Sequence, residues 1–202
     1  MAPELTTQGI GFEVSEGYAA GALAHEDWSV QAGDPQVTTA AAWAGSQSLA
    51  LSETTEVHCL FDFFAASTFW LDGYLKTSGW PGFEGDLPAT QQGPVVRFSS
   101  DQGIKALNGN GTGGGNWASL ADSVPAGEWL RVSLRIAPQV HRYDVYLNSQ
   151  RAAQGLGFKD SITYFQGLRM TGPGTVDGLS FSTATPPGLA DPSSVSPSWV
   201  LY

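Results

Sequence analysis

Between Gly127 and Gln150 the chain reads GEWLRVSLRIAPQVHRYDVYLNSQ, and its alternation limits the possible folds more than any other stretch. Leu130, Val132, Leu134 and Ile136 alternate with Arg131, Ser133 and Arg135. After a loop carrying Pro138, Tyr143, Val145 and Leu147 alternate with Arg142, Asp144 and Tyr146. A period of two sends one set of side chains into a core and the other to the opposite face. Two half-buried antiparallel strands are therefore expected, with Asn148-Ser149 supplying the turn that follows them.

Further short strands are expected at 9–14, 36–39, 46–51, 94–100 and 176–181, and within GLGF and SITYFQGLRM. EVHCLFDFF and STFWLDGYLK read as a hairpin closed by residues 65–67. In that register Val57, Cys59, Phe61, Phe63, Phe69, Leu71 and Leu75 form an apolar face. The other face gathers His58, Leu60, Asp62, Trp70, Asp72, Tyr74 and Lys76. A long loop over 77–93 carries Trp80 and Phe83, and long loops in compact domains are usually functional or disordered. NGNGTGGGNW, ending at Trp117, is either a flexible connection or a backbone that approaches a ligand closely. No helix of appreciable length, internal repeat or coiled coil is visible. The fold class expected is all-β, two antiparallel sheets packed face to face as a jelly-roll sandwich. Residues 1–183 form one such domain, and the Pro/Ser-rich 184–202 reads as a tail with an apolar end.

A chain of 202 residues is the length of one large β domain, and 42% hydrophobic residues suffice for its core. The formal charge of −10 argues against nucleic acid, whose binding rests on Lys and Arg, and against anionic lipid. No run reaches membrane-spanning length, so membrane insertion is not expected. MAPELTTQ has neither a basic start nor an apolar segment, so no signal peptide is visible. Cys59, alone, cannot form an internal disulfide and sits where a small buried hydrophobe belongs. No triad spacing, zinc-type cluster or phosphate loop is present; GNGTGGGN lacks the Lys of a P-loop.

GEW with its alternating strands, the Y-D-V-Y-L-N turn and GLGF resemble laminin-G-like and concanavalin A-like sandwich domains. The N-terminal Phe12-Glu13, a downstream Trp, GSQSLAL and the last-strand Asp177 resemble features of carbohydrate-binding modules of that fold. The similarity spans roughly residues 9–182, through short motifs. It implies a concanavalin A-like jelly roll in a secreted or cell-surface protein, and a structural Ca²⁺ held by Glu13 and Asp177 with main-chain carbonyls.

Sugar recognition needs aromatic rings against the C–H face of a sugar, with carboxylates, amides and Arg on its hydroxyls. His58, Asp62, Trp70, Asp72 and Tyr74 supply those groups on one expected face, Arg97 could join from a neighbouring strand, and Trp80 and Trp117 could reach in from loops. The same residues serve equally as a second packed face with partnered Asp. The leading expectation is a non-catalytic glycan-binding or adhesion module. Alternatives are a structural surface protein self-associating through residues 197–202, and a jelly-roll polysaccharide lyase using His58, Tyr74 and Arg97. Glycosidase chemistry lacks the closely spaced acidic run that it requires.

Overall fold

A computed structural model describes residues 8–64, 67–77, 79, 92–162 and 164–189, with the main chain alone at 8, 61–64 and 166. Its strands are β1 (Gln8–Ile10), β2 (Gly21–Ala22), β3 (Trp28–Ala32), β4 (Gln36–Thr38), β5 (Ser48–Leu51), β6 (Glu56–Phe64), β7 (Phe69–Lys76) and β8 (Val96–Ser99). They continue with β9 (Gly103–Gly109), β10 (Gly115–Ala121), β11 (Trp129–Ala137), β12 (Arg142–Leu147), β13 (Gln150–Gly157), β14 (Tyr164–Thr171) and β15 (Gly174–Ser182). Only two short 3₁₀ turns interrupt them among the described residues, so the all-β expectation holds. No helix among the described residues is long and apolar enough to cross a membrane.

All the pairings are antiparallel. A nine-stranded sheet runs β13-β12-β11-β7-β15-β5-β4-β2, with β1 also on β15. Two three-stranded sheets, β10-β9-β8 and β14-β6-β3, form the facing layer of the sandwich. One core joins Trp28, Val57 and Cys59 to Leu49, Val176, Leu179 and Phe181 of the large sheet. The other joins Ala106 to Leu134, Ile136, Tyr143 and Val145. Cys59 is 1% exposed, and burial pushes its thiol up to about 12.

The alternation at 127–150 folds as read. β11 and β12 pair with Val132 opposite Leu147 and Leu134 opposite Val145, inward side chains facing inward. Asn148 and Ser149 both take left-handed φ (47° and 68°), the geometry of a tight turn between β12 and β13.

The expected hairpin at 57–76 does not form. β6 pairs with β14 and β3, whereas β7 pairs with β11 and β15 in the other layer. β6 thus lies in one layer and β7 in the other. The inward assignment survives at the described positions: Val57 and Cys59 enter the core from one layer and Leu71 and Leu75 from the other. The outward sets point away from each other, so His58 does not share a face with Trp70, Asp72 and Tyr74.

The glycine-rich loop is a close backbone approach, made by the chain to itself. A Cβ on Gly157 would lie 2.1 Å from the Gly109 carbonyl oxygen, and one on Gly109 would lie 2.1 Å from that of Phe158. The Asn110 side-chain oxygen accepts the amides of Thr112 and Gly114 at 2.9 and 3.1 Å, closing the turn. Residues 115–121 beyond it, Trp117 included, are strand β10 rather than loop.

Candidate functional site

The outward face of the large sheet is ordered in rows by register. Arg131, Tyr74 and Asp177 lie side by side on β11, β7 and β15; one step along, Ser133, Asp72 and Ser180 do so. A further step brings Arg135, Trp70 and Ser182 into line. In the opposite direction the row is Trp129, Lys76 and Thr175.

The Trp70 half of this face is closed. Trp70 is 3% exposed and packs with Tyr146 and Leu189. Leu189 comes from the stretch read as tail, and Arg131 Nη1 donates to the Pro187 carbonyl at 2.8 Å, fixing that stretch across the sheet. Asp72 is buried, accepting Arg131 Nε and Nη2 and the Ser133 hydroxyl. Trp70 and Asp72 are thus built into the fold, the second-packed-face arrangement that the sequence left open.

The Tyr74 half is open. The Trp43 indole stacks on the Tyr74 ring with centroids 4.2 Å apart and planes 14° apart, and Trp43 remains 48% exposed. Arg131 lies 5.9 Å from the Tyr74 ring centroid. β15 bulges between Asp177 and Ser180, and Gly178 there has φ 56°. A Cβ on it would meet the Tyr74 ring at 3.3 Å, so the bulge and the glycine make room for Tyr74. Tyr74, Lys76, Trp129 and Thr175 are each partly exposed around this pair. Trp43 sits in AAAWAGSQ, where no periodicity marks it; the available signal is a lone aromatic among Ala, Gly and Ser just before the GSQSLAL motif.

The Trp43 loop is held by the two carboxylates expected at a Ca²⁺ site. Asp177 Oδ2 accepts the amides of Trp43 and Ala44 at 2.7 and 3.0 Å, and Oδ1 that of Gly178 at 2.7 Å. Glu13 Oε1 accepts the amides of Ser46 and Gln47 at 2.7 and 3.0 Å, and Oε2 the Ser46 hydroxyl. The Ser46 bonds and the Gln47 amide hold Glu13 below its ordinary value. Asp177, 0% exposed, is pushed up by burial first and by the Glu13 charge, against its three amide donors. Gln47 is 3% exposed, and its side-chain oxygen has no hydrogen-bond partner. Among the described residues no three His, Cys, Asp or Glu side chains cluster for a metal. The two carboxylates and the unpartnered Gln47 amide oxygen are hard oxygen donors, the type that Ca²⁺ takes.

The other expected site residues are dispersed. His58 bonds Glu56 (3.1 Å) on the outward side of β6, and Glu56 also takes Arg169 at 2.9 Å. Arg97 and Trp117 do meet, the guanidinium 5.1 Å from the indole centroid, outside the β10-β9-β8 sheet. The Asp62 side chain and all of Trp80 lie outside the described residues, as do 197–202. His58, Tyr74 and Arg97, the trio expected of a lyase, all border a cleft of about 1560 Å³ between β8 and β14, the Tyr74 ring itself being stacked on Trp43. The cleft opens onto Leu71, Leu75, Val132, Leu134 and Ile136 of the sandwich interior, side chains that cannot hydrogen-bond hydroxyls.

No family model and no curated protein matches the chain. Among solved structures it is similar to domain 4 of AbnA, a GH43 extracellular arabinanase from Geobacillus stearothermophilus, in complex with arabinotriose. The identity there is 13%, over 77% of this chain and 81% of that one, with a TM-score of 0.47. It is also similar to a Trypanosoma rangeli sialidase (13% identity, TM-score 0.49), covering 84% of this chain but 30% of the sialidase. A third is the Emp47p carbohydrate recognition domain, with 10% identity over 80% of this chain and 90% of that one, TM-score 0.40. These are likenesses of fold, at identities too low to transfer residues.

Proposed function

We propose that the protein is a non-catalytic carbohydrate-binding module of a secreted or surface protein, its site being the open half of the outward face of the large sheet. The observation that carries this reading is Trp43, a half-exposed indole whose ring is backed by Tyr74 and whose amide is fixed by Asp177. A flat, immobile aromatic face accepts the C–H side of a sugar ring, and neighbouring polar groups then meet its hydroxyls. Tyr74 belongs to the site directly. Trp70 and Asp72 act beneath it, by holding β7 and Arg131 in place. The non-catalytic reading is supported by the engagement of Asp72 and Asp177, the carboxylates nearest the ring pair in register, in hydrogen bonds of the fold. That leaves neither as the acid or base of a glycosidase pair.

The structural Ca²⁺ belongs to the same proposal. Glu13 and Asp177, with the Gln47 side-chain oxygen and main-chain carbonyls of the 43–47 loop, would hold it, and its charge would neutralise the two carboxylates that fix Trp43.

Glycan-array binding followed by calorimetry tests the site. Loss of one stacking side chain is expected to weaken binding at least about tenfold in Trp43→Ala, given ~1.5 kcal/mol for an aromatic contact. Unchanged binding by a folded Trp43→Ala protein would remove this site. Absence of binding to any glycan would remove the function.

A further inference from the structure

Nine basic residues stand against 19 acidic ones, so a cation here has carboxylates in surplus to pair with. Several do so: Arg131 with Asp72, Arg135 with Asp144, Lys159 with Asp160 and Arg169 with Glu56. Arg142 donates to the Gly155 carbonyl, Lys105 to Gln102, and Arg97 lies over Trp117. Lys76 makes no ion pair or hydrogen bond among the described residues. Its cross-strand neighbours are Trp129 on β11 and Thr175 on β15, both uncharged. Its neighbour two residues along the same face is Tyr74, which carries Trp43. Glu128 precedes Trp129, but no ion pair joins it to Lys76, and Asp177, opposite Tyr74 on the same face, is turned to the amides of Trp43, Ala44 and Gly178.

Among the described residues, an ammonium group without an ion-pair partner thus stands on an aromatic face of a strongly acidic protein. Adjacent strands are about 4.8 Å apart, and alternate residues of one strand are about 7 Å apart. Lys76 is therefore one sugar's breadth from the Trp43–Tyr74 pair and lies between that pair and Trp129. We propose that this strip takes an acidic glycan, one whose ring lies on Trp43 and whose carboxylate or sulfate pairs with Lys76; the inference rests on the binding reading above. The net charge of −10 does not prevent it, because repulsion from charges beyond about 8 Å is screened at physiological salt, whereas the contact pair is not. The Trp70 half, closed by Pro187 and Leu189, bounds the strip on one side.

The test uses the whole chain and two matched pairs of polymers: polygalacturonate with galactan, and dextran sulfate with dextran. Binding is measured by calorimetry at low and at physiological salt. The charged member of at least one pair is expected to bind more tightly, with the advantage shrinking as salt rises. The Lys76→Gln variant is expected to lose about fivefold on that polymer and nothing on its neutral partner, the size of one solvent-accessible ion pair. Preference for polygalacturonate identifies a carboxylate as the paired group; preference for dextran sulfate identifies a sulfate. Equal or tighter binding of the neutral polymers, or a Lys76→Gln protein that binds as wild type does, overturns the acidic-glycan inference while leaving the Trp43 site standing. Binding by none of the four overturns the acidic-glycan inference, and binding that Trp43→Ala does not change overturns both.

Discussion

Arg131 grips both oxygens of Asp72 across the β11–β7 pair, through Nε at 3.0 Å and Nη2 at 2.9 Å. Both side chains are mostly buried, 12% and 10% exposed. The remaining Nη1 reaches the Ser149 hydroxyl and the Pro187 carbonyl, so one guanidinium joins two strands, a turn and the segment crossing the sheet. Such a pair adds little net stability relative to an apolar substitute, but removing one member strands the other in a dry site. Asp72→Ala is expected to cost about 3 kcal/mol, and the combined Asp72→Ala, Arg131→Leu protein less than the sum of the single changes. Urea unfolding of the three variants measures both.

Leu189 covers Trp70 from a stretch whose composition reads as tail. Leu189→Asp places a charge against the Trp70 and Tyr146 rings and is expected to cost about 2 kcal/mol. A red shift of tryptophan emission in the native protein should accompany the loss as Trp70 meets water. Equal stability and unchanged emission would show that the segment does not pack there in solution.

Two carboxylates at one loop give opposite dependences on pH. Glu13 is held below its ordinary 4.5 by the Ser46 hydroxyl and the Ser46 and Gln47 amides. Its contribution is present above pH 4.5 and is lost as pH falls through the lowered folded value. Asp177 is raised from its ordinary 3.8, chiefly by burial. It favours the fold fully below pH 3.8, and that contribution is lost as pH rises through the raised value. Removing the Glu13 charge should therefore flatten the fall of melting temperature below pH 4.5, and Asp177→Asn should not. Thermal melts of Glu13→Gln and Asp177→Asn between pH 3 and 7 separate the two.

If Ca²⁺ is held by Glu13, Asp177 and Gln47, millimolar Ca²⁺ raises the melting temperature and EDTA reverses the gain. The shift is lost in Glu13→Gln, while Mg²⁺, which demands a tighter octahedral set, produces less. A melting temperature indifferent to Ca²⁺ would leave the 43–47 loop held by hydrogen bonds alone.

Facing direction was legible in the sequence, and pairing was not. The alternation of Leu71 and Leu75 against Trp70, Asp72 and Tyr74 reports which side chains enter a core, and those entries are correct at every described position. A period of two is the same whether the next strand lies alongside or in the facing layer. The closeness of β6 and β7 in sequence therefore resembled a hairpin, although the two strands lie in different layers. The error dispersed the expected site, separating His58 from Trp70 and Tyr74. Buried partners were equally hidden: Trp70 is closed by Leu189, more than a hundred positions away, and no local pattern announces that contact. Glu13 and Asp177 were singled out by resemblance, and their common engagement with residues 43–47 became visible only in three dimensions. Trp43 lay in that loop without periodicity to mark it.

The anchoring of Trp43 at both ends, amide on Asp177 and ring on Tyr74, has a consequence for affinity. A freely rotating surface side chain loses roughly 0.5–1.5 kcal/mol of conformational freedom when a ligand immobilises it. Here folding has already imposed that order, so whatever rests on the indole meets a surface that needs no rearrangement. Weak individual contacts, of the size that sugars make, then count almost in full toward binding.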